Sequence, residues 1–182
     1  PDVAMMAQRG ISLIWSPRSN VSLYGETARV VLHHKLGVNI ALGVDWLPSG
    51  SMNMLRELRC ADDLNTHFYG GYFTDEALWL MTTRGAARAL GFDEEIGELR
   101  GGMVGDIAIF GGNGKRYHRA ILDATPADTA LVLKGGVPVA GDSALVAALA
   151  DGCDDIGDVC GRQKSACVSA HSDYTSWSDL MG

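Results

Sequence analysis

A chain of 182 residues, 47% hydrophobic and 20% charged, has room for one ordinary domain, or for a piece of one domain joined to all of a smaller one; its 23 glycines are spread along it, not gathered into a low-complexity tract. A formal charge of -7 and a pI near 5.1, with no lysine or arginine run, give no basic surface for a phosphate backbone, so nucleic acid is not an expected partner. No apolar stretch approaches the ~20 residues of a membrane-spanning helix, so a soluble chain is expected, with any targeting segment upstream of Pro1.

In chain order, Asp2 can cap a short helix through Gln8, ended by Gly10, after which Ile11 to Trp15 is a mostly apolar run of strand type. Ser16 to Asn20 is expected to break it. Apolar residues at helical spacing from Gly25 to Leu36 predict a helix that closes at Gly37. Val38 to Val44 follows as a buried-type strand that ends at Asp45. Two nearly continuous apolar strands around a helix predict an α/β arrangement with parallel strands. Helices are predicted from Ser51 to Asn65 and from Thr74 to Leu90, the second capped by Thr74 and stopped by Gly91. Beyond Gly91 come short strands at Ile107 to Phe110, Ala130 to Leu133 and, after a Gly135-Gly136 turn, Val137 to Ala140, which predict a small β domain. Ser143 to Ala150 adds a short amphipathic helix before a tail that carries Cys153, Cys160 and Cys167.

Those three cysteines, seven residues apart, form no C-x-x-C pair, which argues against a zinc knuckle; a disulfide within the tail and free thiols are the two readings left open. A disulfide would imply a secreted or periplasmic location, and its absence a cytoplasmic one.

In parallel α/β architectures functional groups gather where loops leave the carboxyl ends of strands. Here those places are Ser16 to Asn20 and Asp45-Trp46. A carboxylate directly after a buried strand is costly unless its charge is compensated, and a metal ion is the strongest compensator. The alternative is that Asp45 caps the following loop. Trp46, Ser51, Arg18 and Asn20 lie on these two loops and are weak candidates for substrate contacts. Asn20 can equally hydrogen-bond its own loop, and Trp46 can be a lid or an interface residue.

Four motifs, in order, carry a resemblance. Gly37 to Trp46 (GVNIALGVDW) is similar to the "GV-x-(V/I)-ALGTD" signature of the eighth barrel strand of the amidohydrolase superfamily, in the branch of cytosine deaminase, guanine deaminase and the chlorotriazine hydrolases. Trp15 to Asn20, followed by Leu23-Tyr24-Gly25, resembles the seventh strand and its loop. Met81 to Gly91 resembles the late "T-x-x-x-A-x-x-LG" helix. Ile96 to Leu99, Gly102 and Gly105 to Ile109 resemble the passage into a β-sandwich. Val44 stands where threonine is usual, and Gly105 where alanine is usual.

The resemblance implies that residues 1–91 are the last strands and helices of a (β/α)8 TIM barrel, and residues 92–182 a small β-sandwich domain with the cysteine-bearing tail. It implies one divalent metal, zinc or iron, held by histidines from earlier strands and by Asp45. Those histidines are not expected here. His33-His34 are adjacent on a predicted helix and point in different directions, and His67, His118 and His171 are isolated, so all five read as surface or packing residues. An N-terminal portion of the same enzyme is the expected partner, supplying the ligands and six further strands; a homo-oligomer is also compatible. In the implied chemistry Asp45 is both metal ligand and proton carrier in hydrolytic deamination or dechlorination of a small heterocyclic substrate. Two rivals are an imidazolonepropionase-like or dipeptidase-like hydrolase, and a non-catalytic binding module that keeps the fold.

Overall fold

The computed structural model describes residues 2–182; Pro1, the first residue of the expected barrel segment, lies outside the described residues. The chain packs as two compact units, one formed by Pro1–Glu98 with Tyr117–Asp123 and the other by Leu99–Arg116 with Ala124–Gly182. The first unit therefore extends past the expected boundary at residue 91 and takes back a short segment from beyond it.

The first unit begins with α1 (Val3–Gln8), whose N-terminus Asp2 caps by accepting the Ala4 amide at 3.0 Å. Strand β1 (Leu13–Trp15) leads into α2 (Pro17–Tyr24), then α3 (Val30–Lys35) and β2 (Ile40–Leu42). β1 and β2 pair in parallel, Leu13 opposite Ile40 and Trp15 opposite Leu42. Ser16 to Asn20 ends β1 where expected, but the loop expected there is corrected: the segment opens a helix. Pro17 occupies a first-turn position, where its missing N–H costs nothing, and Gly25 closes the helix in the left-handed conformation at φ 70°. The helix expected from Gly25 starts only at Val30, because residues 25–29 form the turn between the two helices.

After β2 come α4 (Met54–His67), α5 (Asp75–Leu80), α6 (Arg84–Leu90) and α7 (Tyr117–Leu122). Asn53, not Ser51, starts α4, with its side chain accepting the Arg56 amide at 2.9 Å. The single helix expected from Thr74 to Leu90 is two. Met81 turns its carbonyl to the Leu42 amide of β2 at 2.9 Å, and Thr82 donates to the Trp79 carbonyl at 2.7 Å, so the backbone between α5 and α6 serves the strand instead of continuing the helix. Gly85 sits so close to β2 that a Cβ there would lie 2.6 Å from the Ile40 carbonyl. The core gathers Trp15, Val30, Ile40, Leu42, Leu58 and Leu78. α7 joins it through the fully buried Leu122, and Arg119 of α7 pairs with Asp62 of α4 at 2.6 Å and with Asp75 of α5.

The second unit holds one antiparallel sheet in the order β3-β4-β5-β7-β6, built from β3 (Ile107–Phe110), β4 (Thr129–Lys134), β5 (Val137–Asp142), β6 (Asp154–Val159) and β7 (Arg162–Ala166). Helix α8 (Ser143–Leu149) packs on it, and α9 (Trp177–Met181) ends the chain. A second facing sheet, as a sandwich requires, is not among the described residues. The tail thus contains two strands that its polar sequence concealed. A disulfide joins Cys153 to Cys167, which settles the open alternative for that pair; Cys160 is free and exposed at the hairpin turn. Constraining a loop of that size in the unfolded chain is worth about 3 kcal/mol. Beneath the sheet, the buried Lys164 ammonium donates to Asp142 at 2.5 Å and to the carbonyls of Thr129 at 2.6 Å and Ala127 at 3.2 Å, so all three of its protons have acceptors.

Candidate active site at the ends of the parallel strands

β1 and β2 end side by side, and the loops that leave them are cross-tied. Gly43 continues β2 by donating to the Trp15 carbonyl at 2.9 Å, and a Cβ on it would lie 2.8 Å from Ile14. Two residues later the backbone of Asp45 enters the left-handed region at φ 56°. That conformation is uncommon outside glycine, though aspartate and asparagine tolerate it best, and strained backbone of this kind concentrates at functional sites. The turn beyond it is closed by backbone bonds alone: Gly50 to the Trp46 carbonyl at 2.7 Å, Ser49 to the same carbonyl at 3.1 Å, and Ser51 back to the Val44 carbonyl at 2.9 Å.

The Asp45 side chain takes no part in that closure. It is exposed and has no hydrogen-bond or ion-pair partner among the described residues. This corrects two expectations. The carboxylate is not buried, because the left-handed turn carries it out of the strand's buried line; nor does it cap the loop, whose Ser49, Gly50 and Ser51 amides donate to backbone carbonyls. What remains is a carboxylate held at a strand end by its backbone, with both oxygens open to a cation or a proton donor.

The other candidates fall in different places. Trp46 is exposed, at 69%. Ser51 is only 1% exposed, and its hydroxyl accepts the Arg18 Nε–H at 3.1 Å, so it ties the loop after β2 to the first turn of α2 instead of facing open space. Asn20 lies on α2, not in a loop; its side-chain oxygen accepts from Thr27 at 3.3 Å, and Thr27 accepts the indole N–H of Trp15 at 2.7 Å. Arg18 is half-buried and also lines a cavity of about 430 Å³ with Ser49, Gly50, Arg56, Cys60 and Asp63. Asp45 does not line that cavity. Burial pushes the Cys60 thiol up, against the charge of Arg18, so it is no ready nucleophile.

All five histidines have structural partners. His33 meets the Arg29 carbonyl at 2.9 Å, His34 the Tyr72 hydroxyl at 2.9 Å, His67 the Asp63 carbonyl at 3.0 Å, His171 the Pro138 carbonyl at 2.9 Å, and His118 lies with its ring 4.7 Å from that of Trp79. Among the described residues, no group of three or more histidine, cysteine, aspartate or glutamate side chains could hold a metal. Asp45 suits one oxygen ligand of such a site.

Two residues escaped the sequence reading. Glu57 is fully buried on α4, where one carboxylate oxygen accepts the Arg18 amide at 3.0 Å. Its signal was a charged residue in the buried stripe of Leu58, Ala61 and Asn65. Gly50 is the second: a Cβ on it would lie 2.0 Å from the Val44 carbonyl oxygen.

Residues 2–140 match the amidohydrolase family. The 5-methylthioadenosine/S-adenosylhomocysteine deaminase of Acetivibrio thermocellus is 32% identical over 111 residues, which cover 59% of this chain and 26% of that protein. The chain thus spans about a quarter of the length of the curated relatives it matches. Among solved structures, an adenosine deaminase from Xanthomonas campestris with bound zinc aligns at a TM-score of 0.69 and 24% identity, over 75% of this chain and 33% of that one. An atrazine chlorohydrolase from Arthrobacter aurescens complexed with zinc aligns at 0.63 and 20% identity, again over 75% of this chain and 33% of the other.

Proposed function

This chain belongs to the amidohydrolase family, and from that premise we propose that it is the C-terminal portion of a metal-dependent hydrolase in which Asp45 is the one catalytic group supplied from residues 2–182. The observation that carries the proposal is the Asp45 carboxylate itself: unpaired, exposed and fixed by a left-handed backbone at the carboxyl end of the second of two parallel strands. The remaining ligands, on this reading, come from an N-terminal portion that also completes the barrel around β1, whose Ile14 is 55% exposed.

A bound divalent ion, zinc on the precedent of the aligned structures or else iron, would supply Lewis acidity that lowers the pKa of water. Asp45 would hold that ion through one carboxylate oxygen. Its other oxygen accepts a proton from the attacking water as the water's oxygen bonds to the ring carbon, and then passes the proton to the departing nitrogen, so that an amino group leaves as ammonia. The relative is named for 5-methylthioadenosine and S-adenosylhomocysteine, and we take an adenosine-type heterocycle as the substrate class, with deamination preferred to dechlorination. Arg18, in the first turn of α2 after β1, and Trp46, on the loop after Asp45, are the substrate contacts we retain. The Cys153–Cys167 disulfide supports an oxidising compartment.

The complete protein, freed of metal by a chelator, is expected to lose turnover of 5′-methylthioadenosine and to regain it on adding one equivalent of zinc. Turnover indifferent to metal would refute the mechanism. Binding without turnover across deaminase, cyclic-amide and dipeptide substrates would leave a binding module.

A further inference from the structure

Ser16 stands at the N-cap of α2, yet its side chain makes no capping bond. The group that does the capping comes from 39 residues away. Glu57 is 0% exposed, and its Oε1 accepts the Arg18 amide at 3.0 Å, one of the amides an α-helix leaves unpaired in its first turn. Its Oε2 is also buried and has no hydrogen-bond partner among the described residues. A charged side chain so enclosed is rarely kept for packing alone, since an alanine or leucine would fill the stripe beside Leu58 and Ala61 without desolvating a charge.

The same first turn of α2 is tied to the loop that follows Asp45. Ser19 and Ser49 share a hydrogen bond of 3.1 Å between their hydroxyls, both buried, and Arg18 Nε donates to Ser51 at 3.1 Å. Three elements therefore meet at one point: Glu57 on α4, the start of α2, and the turn 46–51. Among the described residues, these two are the side-chain hydrogen bonds that tie the turn after Asp45 to the start of α2.

We propose that Glu57 is a positioning residue: a cap supplied from α4 that locks the first turn of α2, and through Arg18–Ser51 and Ser19–Ser49 sets the turn that follows Asp45. The role in turnover rests on the reading of Asp45 as catalytic. The hold on α2 does not.

The test uses the complete protein and two readouts. In Glu57→Ala, kcat per folded, zinc-loaded site is expected to fall about 10- to 100-fold, because misplacing a catalytic group by a fraction of an ångström costs rate without removing the group. Ala61→Gly, a destabilising change one turn on at a fully buried position of α4, is expected to leave kcat within about twofold, and Glu57→Gln, which retains an acceptor for the Arg18 amide, within about threefold. Amide exchange, read by mass spectrometry on the peptide spanning residues 16–24, should quicken in Glu57→Ala and stay slow in Glu57→Gln. If Glu57→Ala yields no folded protein, Glu57→Asp, whose carboxylate is withdrawn by one methylene, gives the same two readings. A Glu57→Ala enzyme whose kcat matches Ala61→Gly overturns the effect on turnover, and unchanged exchange overturns the cap. Should Asp45→Asn retain turnover, the catalytic reading falls while the exchange result still decides what Glu57 holds.

Discussion

Replacing Asp45 by asparagine in the complete protein is expected to lower turnover by at least about a thousandfold, while bound metal falls by much less. The size follows from the two duties placed on one carboxylate. An amide oxygen can still approach a cation, but it cannot take a proton from water near neutral pH or return one to a leaving group. The substitution is unusually clean here. Asparagine tolerates the left-handed backbone as aspartate does, so φ 56° adds no new strain, and the side chain it replaces has no hydrogen-bond partner among the described residues to lose. Unfolding temperature should therefore be nearly unchanged, which separates chemistry from stability. Kinetics at saturating substrate, with metal measured on the same preparation, check it. Ordinary turnover in the variant would remove Asp45 from the mechanism.

Gly50→Ala is expected to be nearly as damaging by a different route. Its Cβ would lie 2.0 Å from the Val44 carbonyl oxygen and 3.0 Å from that of Trp46. Both carbonyls are acceptors in the turn, Val44 for the Ser51 amide and Trp46 for the Gly50 amide, so the atoms in the way are backbone and cannot swing aside. The turn must open, Ser51 must leave Arg18 or Val44, and Asp45 moves with them. We expect a loss of about 1–3 kcal/mol in stability, as for other overpacked sites, and at least tenfold in turnover. Gly101→Ala is the matched control, since a Cβ there would meet nothing within 4 Å. Thermal unfolding and kcat on the pair decide the point; equal values for the two variants would show that the turn is pliable.

The contrast between what the sequence announced and what it hid follows the range of the interactions concerned. The two parallel strands and the position of Asp45 at the end of one were legible, because continuous apolar runs closed by glycines are local signals. The α2 helix was missed: Ser16-Pro17 at its start and Gly25 at its end are compatible with a helix, but eight residues are too few for periodicity to show. The break between α5 and α6 could not be read, since it exists so that the Met81 carbonyl can reach Leu42, a partner 39 residues earlier. β6 and β7 escaped because they are short and polar, with Lys164 buried against carbonyls that only the folded sheet brings to it. At the site the same division holds. Asp45 was visible from its motif; its exposure, its left-handed turn and the long-range cap by Glu57 depend on contacts across the fold.

The central claim is that the Asp45 carboxylate is a ligand of a metal shared with the rest of the enzyme. A crystal structure of the complete, zinc-loaded protein measures it directly. The expected result is a zinc ion with an Asp45 carboxylate oxygen about 2.0–2.2 Å away and histidines from the N-terminal portion completing the site. Zinc bound elsewhere, with the Asp45 side chain still in solvent and beyond coordinating distance, would contradict it.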